Sequence, residues 1–202
     1  IQFAVQRVDD QGNTIPFLHR MSKQGLQTLN QDILLELSNR SAWFAWLRVY
    51  KRALFQEIRF PVGKNYEDAY TTPLLFFAAK TAYFSPEVLI NYRINPHGIT
   101  ATKSRKNIDD LGGVPLFYLE HIEQHPELVA TMIAISQSHI MDVLNADGIS
   151  AAQQRWKTLK QKMRQHPLNE TMIRNRGNRL FFHYGVAFLL FDRTLRRLGL
   201  KK

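Results

Sequence analysis

Apolar positions change their spacing along this chain, and the change divides it. Residues 1–8, Ile-Gln-Phe-Ala-Val-Gln-Arg-Val, alternate between apolar and mixed positions and predict a strand. Residues 9–13 are turn chemistry, after which 14–18 return as a second strand. Over 25–38, Leu26, Leu29, Ile33, Leu34 and Leu37 recur at helical spacing and predict a helix, with Asn30 and Asp32 leaving its start open. Residues 41–50 hold Trp43, Phe44, Trp46, Leu47, Val49 and Tyr50, a dense run that reads as buried, and 51–57 read as a short helix. The loop Phe60-Pro61-Val62-Gly63-Lys64 leads to Asn65, a credible N-cap for a helix over 66–80 that Pro73 would kink or delay. Residues 81–84 and 88–93 predict two short strands about the turn Ser85-Pro86-Glu87, and 95–98 form another turn.

Beyond about Ser104 the spacing is helical only. Residues 107–123, 127–145, 150–165 and 170–198 predict four helices, broken near Pro126, Gly148 and Pro167. Gly112, Gly113 and Pro115 delay the start of the first. The pattern therefore predicts a mixed α/β part, 1–105, and an all-helical part, 106–202, with helix predominating overall.

Composition narrows the classes. Thirteen Phe, seven Tyr and three Trp supply ample surface to bury, which excludes disorder. The absence of cysteine excludes a disulfide framework and a thiolate zinc site. No apolar run reaches the roughly 20 residues that span a bilayer as a helix. The chain opens on Ile1 within a strand-like run, and so reads as a piece of a longer protein.

The formal charge of +10 is unevenly spread. Residues 1–150 carry 14 Lys/Arg against 15 Asp/Glu, whereas 151–202 carry 13 against two. Within that basic quarter, Leu180, Tyr184, Ala187, Phe188, Phe191, Leu195 and Leu198 advance by three or four and form one helical stripe. Two readings stay open. The stripe over 170–202 can lie on an anionic membrane surface, or it can pack inward and leave a solvated basic face. Nucleic acid is disfavoured, because no reader motif accompanies the charge.

Catalytic signatures are few. His121 and His125 stand four apart beside Glu120 without forming a zinc-protease signature, and neither a phosphate-cradling glycine loop nor a nucleophile elbow is present. Glu67-Asp68 opens a predicted helix. Acids there complement the helix dipole, and a carboxylate so placed also suits proton abstraction.

The surroundings of that pair add a resemblance. Trp43, then Tyr50-Lys51-Arg52, the Phe60-Pro61-Val62-Gly63 loop, Glu67-Asp68, Tyr92-Arg93 and Gly98-Ile99-Thr100 follow in the order seen in the C-terminal half of family 2 glycosyltransferases. The stretch resembles the acceptor-side portion of a GT-A fold over about residues 1–105. The resemblance implies a nucleotide-sugar-dependent transferase acting on a glycan or lipid-linked acceptor in surface polysaccharide synthesis. It implies Asp68 as general base, Glu67 and Trp43 on the acceptor side, Arg93 toward the diphosphate and His97 as a metal ligand. Trp43 reads equally as core packing. A divalent cation, Mn or Mg, would be held mainly by an Asp-x-Asp motif that these residues lack; Asp9-Asp10 sits in a turn and is not that motif. A part without the nucleotide-binding half is expected to be inactive alone, and its exposed sheet edge invites pairing with another copy. The expected location is cytoplasmic, peripheral on the inner face of the membrane. The rival reading is a non-catalytic helical module whose basic tail docks on an acidic partner or a membrane.

Overall fold

Alternation over the first residues produces β1 (Gln2–Val8), whose Ala4, Val5 and Val8 are buried. The Asp9 carboxylate then accepts hydrogen bonds from the N–H groups of Gln11 and Asn13, at 2.9 and 2.8 Å, and the chain turns back into β2 (Thr14–His19). A computed structural model describes residues 1–93, 95, 98 and 103–200. They are mixed α/β and mainly helical, and they form two compact units: 1–37 with 42–104, and 38–41 with 105 onward.

The first unit continues with β3 (Gly25–Thr28), the start of α1 (Gln31–Arg40), single 3₁₀ turns at Ala45–Leu47 and Arg52–Phe55, α2 (Glu67–Ala78) and β4 (Thr81–Arg93). The sheet order is β2-β1-β4-β3, with β1 and β4 parallel and the other pairs antiparallel. Its core joins Met21, Ile33, Leu37, Trp43, Phe76 and Phe84, with Val5, Ala42 and Leu47 beside it.

Three local expectations are corrected. Residues 25–28 are strand rather than helix, because their main chain pairs with Thr81–Phe84 of β4. The helix starts only after Asn30, whose side-chain oxygen accepts the Ile33 N–H at 3.1 Å. The two short strands predicted over 81–93 are one. Pairing with β1 jumps from Gln2↔Phe84 to Ala4↔Val88, so residues around Pro86 bulge out where a missing N–H costs no ladder bond. Finally, α2 is capped at Tyr66 rather than Asn65 and runs through the buried Pro73 without a break.

The second unit comprises α3 (Arg105–His121), α4 (Leu128–Met163), a 3₁₀ turn at Glu170–Met172, α5 (Arg176–Tyr184) and α6 (Val186–Arg197). Its core includes Tyr118, Ile122, Met132, Ile140, Phe181 and Leu189. Asn39 ties residues 38–41 into this unit, donating to the Met172 carbonyl at 2.9 Å and accepting from the Arg174 N–H at 2.7 Å. The first helix begins at Arg105 in spite of Gly112 and Pro115. Gly112 is there for close approach, since a Cβ at that position would lie 2.5 Å from Cε1 of His139. Helix α4 loses helical geometry at Gly148 (φ 85°, ψ −177°), near the predicted break.

The helix predicted over 170–198 is three elements. Asn175 caps α5 by accepting the Asn178 N–H at 3.0 Å. Gly185 (φ 55°, ψ −128°) then separates α5 from α6, packed so tightly on Trp156 that a Cβ would lie 2.4 Å from the indole. Phe181, Phe182, Val186 and Leu189 face inward, while Tyr184, Phe191 and Leu198 are 67%, 62% and 65% exposed. Among the described residues no helix is long and apolar enough to cross a membrane.

Candidate functional site

The loop before α2 sets the position of its acids. Gly63 (φ 73°) and Tyr66 (φ 60°, ψ 30°) both take left-handed backbone, and Tyr66 does so without the freedom of glycine. The chain enters α2 immediately afterwards, so Glu67 and Asp68 occupy its first turn, both half-buried. Lys64 lies over the ring of the buried Tyr70, 5.0 Å from its centroid, and holds the loop against the helix.

Asp68 is the more perturbed acid. Burial and the Glu67 charge push its pKa up from the ordinary value. Hydrogen bonds from the Ala69 and Ala45 N–H groups, and the positive charge of Arg48, act against that rise without cancelling it. A carboxylate held in this state is a stronger proton acceptor than a solvated aspartate. The Ala45 contact also brings the 3₁₀ turn Ala45–Leu47 up to the start of α2.

Arg48 supports that turn from beneath. It is 7% exposed, and its guanidinium donates to Gln2 Oε1 at 3.0 Å and to the carbonyls of Phe44 and Ala42 at 2.8 and 2.7 Å. Its plane lies over Phe76, 5.0 Å from the ring centroid, and 6.0 Å from that of Trp43. Burial lowers its pKa to about 10, with Tyr50 and Asp68 opposing the drop, so it stays charged at neutral pH. Arg48 also lines a mainly apolar cleft of about 700 Å³ with Leu26, Leu54, Leu75 and Tyr83 among its walls.

The aromatic run splits between inside and outside. Trp43 is 3% exposed and packs edge-on against Phe76, which is the core-packing alternative the sequence left open. Phe44 and Trp46, expected to be buried, are instead 38% and 39% exposed. Trp46 is stacked between Phe44 and Tyr92 of β4, at 5.1 Å on each side with interplanar angles of 13° and 16°. This three-ring ladder flanks Ala45, the residue whose N–H meets Asp68. The spacing Phe44-x-Trp46 is visible in the sequence, but Tyr92 joins the pair from a distant strand.

The remaining expectations are dispersed. Arg93 is exposed at the end of β4, opposite Val8 of β1. His97, Ile99 and Thr100 lie outside the described residues. Among the described residues no group of three or more His, Cys, Asp or Glu comes together. Comparison of the chain with protein-family models, with curated proteins and with solved structures found no match.

Proposed function

We propose that the chain supplies the acceptor side and the general base of a nucleotide-sugar-dependent glycosyltransferase that builds a glycan on a glycan or lipid-linked acceptor. The observation that carries this reading is the placement of Asp68. A half-buried carboxylate with a raised pKa stands in the first turn of α2, joined through the Ala45 N–H to a loop carrying exposed aromatic rings. An aromatic surface accepts the apolar face of a sugar, and a proton acceptor beside it can deprotonate a sugar hydroxyl. Asp68 takes that proton as the hydroxyl oxygen bonds to the anomeric carbon of the donor, and the bond from that carbon to the nucleoside diphosphate breaks. Arg48 fixes the loop, Glu67 orients the acceptor, and Trp46 with Phe44 takes the acceptor role that the resemblance implies for Trp43. The protein works in the cytoplasm, peripheral on the inner face of a membrane, where the exposed Tyr184, Phe191 and Leu198 and the surrounding basic residues meet an anionic surface.

The test is sugar transfer by the protein that carries this chain. Asp68→Asn is expected to lower the rate by about 10²–10⁴ while nucleotide-sugar binding persists, as for the loss of a general base. Transfer at the unaltered rate would overturn the assignment.

A further inference from the structure

The basic quarter of the chain does not spread its charge evenly over a helix surface. A cavity of about 400 Å³ opens between the second half of α4 and the junction of α5 with α6. Lys157, Lys160 and Arg164 line one side of it, and Tyr184 and Ala187 the other, with Trp156 also in the wall. Three cations at successive turns of one helix face therefore share a single concavity. Lys160 is held there, its Nζ 4.7 Å from the ring centroid of Phe182 and 5.8 Å from that of Trp156. Burial and the charge of Arg164 both lower its pKa.

Acids are scarce in this part of the sequence. The last 52 residues contain two carboxylates. Asp192 accepts from Arg196 at 2.9 Å, and Glu170 lies 3.4 Å from His183 while still acting on Lys160 from a distance. Tyr184 and Ala187 line the cavity, and Phe191 and Leu198 continue the same exposed face along α6 at steps of four and seven residues. A concave cluster of cations thus opens beside a strip of exposed apolar side chains.

We propose that this cavity is a binding site for the phosphate of an anionic phospholipid headgroup, with Tyr184, Phe191 and Leu198 entering the acyl boundary beside it. The charge calls for an anion, the concavity suits a phosphate rather than an extended polyanion, and the adjoining apolar strip calls for a partner that is anionic and oily at one edge. The inference rests on the membrane part of the proposal above and is independent of the transferase part.

The experiment is sedimentation of the full chain with phosphatidylcholine vesicles, with and without phosphatidylglycerol. Unaltered protein is expected to pellet only with the anionic vesicles and to be released at 1 M salt, where the Debye length falls to about 3 Å. Lys157→Gln with Arg164→Gln is expected to weaken binding about 30-fold, from two lost charges near the surface. Phe191→Ser should weaken it with the charge intact. Arg174→Gln with Arg176→Gln removes equal charge from outside the cavity and is expected to cost under about threefold. All five substituted positions are exposed, and circular dichroism is to be used to check that each variant is folded. Equal losses from the two double variants would leave a diffusely charged membrane face and overturn the site alone. No pelleting of unaltered protein with anionic vesicles, including the case where it binds duplex DNA instead, would overturn both the site and the membrane reading.

Discussion

Replacing Arg48 by Met removes a charge and three hydrogen bonds while nearly keeping the length of the side chain. The guanidinium satisfies Gln2 Oε1 and the carbonyls of Ala42 and Phe44, all from a position that is 7% exposed. Water does not readily replace it there, and a buried acceptor left without a donor costs about 1–3 kcal/mol. Three such acceptors would cost about 3–9 kcal/mol. Relief from burying a charge, the retained contact with Phe76 and rotation of the Gln2 amide offset part of this, leaving a net loss of about 2–4 kcal/mol. With a urea slope of about 2 kcal/mol/M, the midpoint of unfolding of the first unit should fall by roughly 1–2 M. Native-state hydrogen exchange localises the loss, with amides of β1 and β4 losing protection and those of α3 and α4 keeping theirs. Arg48→Lys should recover little, because one ammonium cannot span acceptors arranged around a planar fork. A loss below about 1 kcal/mol, or one shared equally by the amides of α3 and α4, would refute the view that Arg48 holds the 42–48 loop.

Three further outcomes follow from the geometry. The raised pKa of Asp68 means that the folded state holds its proton more tightly than the unfolded chain. Its stabilising contribution is present below the unfolded value of 3.8 and is lost as pH rises through the folded value, so Asp68→Asn should be more stable than the unaltered protein in neutral urea titrations. His139 is buried and its pKa is lowered, first by burial and then by Arg155. Stability that it supports above pH 6.5 is lost as pH falls below that value, and His139→Gln should flatten this part of the thermal-melting profile against pH. Gly185→Ala should destabilise by about 2–5 kcal/mol in urea unfolding, from a strained backbone and overlap with Trp156. Gly148→Ala, with positive φ but no atom within 4 Å, should cost about 1–3 kcal/mol from backbone strain alone, and equal costs at the two glycines would remove the role given to Trp156.

Local signals in the sequence settled a good deal. The alternation of residues 1–8, the Asp9 turn, the helical spacing after about Ser104 and the break at Gly148 are recorded within a few residues of where they act, and each appears in the structure. Glu67 and Asp68 opening a helix was legible for the same reason, because a helix start depends on its own first turn. What the tertiary structure alone decided involves partners far apart in the chain. Residues 25–28 have helical spacing but pair with β4, and the ladder of main-chain bonds outweighs a periodicity only two residues long before Asn30. The run from Trp43 to Tyr50 has no period that sorts inside from outside. Trp43 is buried because Phe76 meets it, and Trp46 stays at the surface because Tyr92 stacks on it there. The basic stripe reads the same whether it faces core or solvent. Gly185, pressed onto Trp156, turns α6 so that Val186 and Leu189 go inward and Phe191 and Leu198 remain outside. A side chain's period is set by its own helix, but the direction of that period is set by whatever the helix packs against.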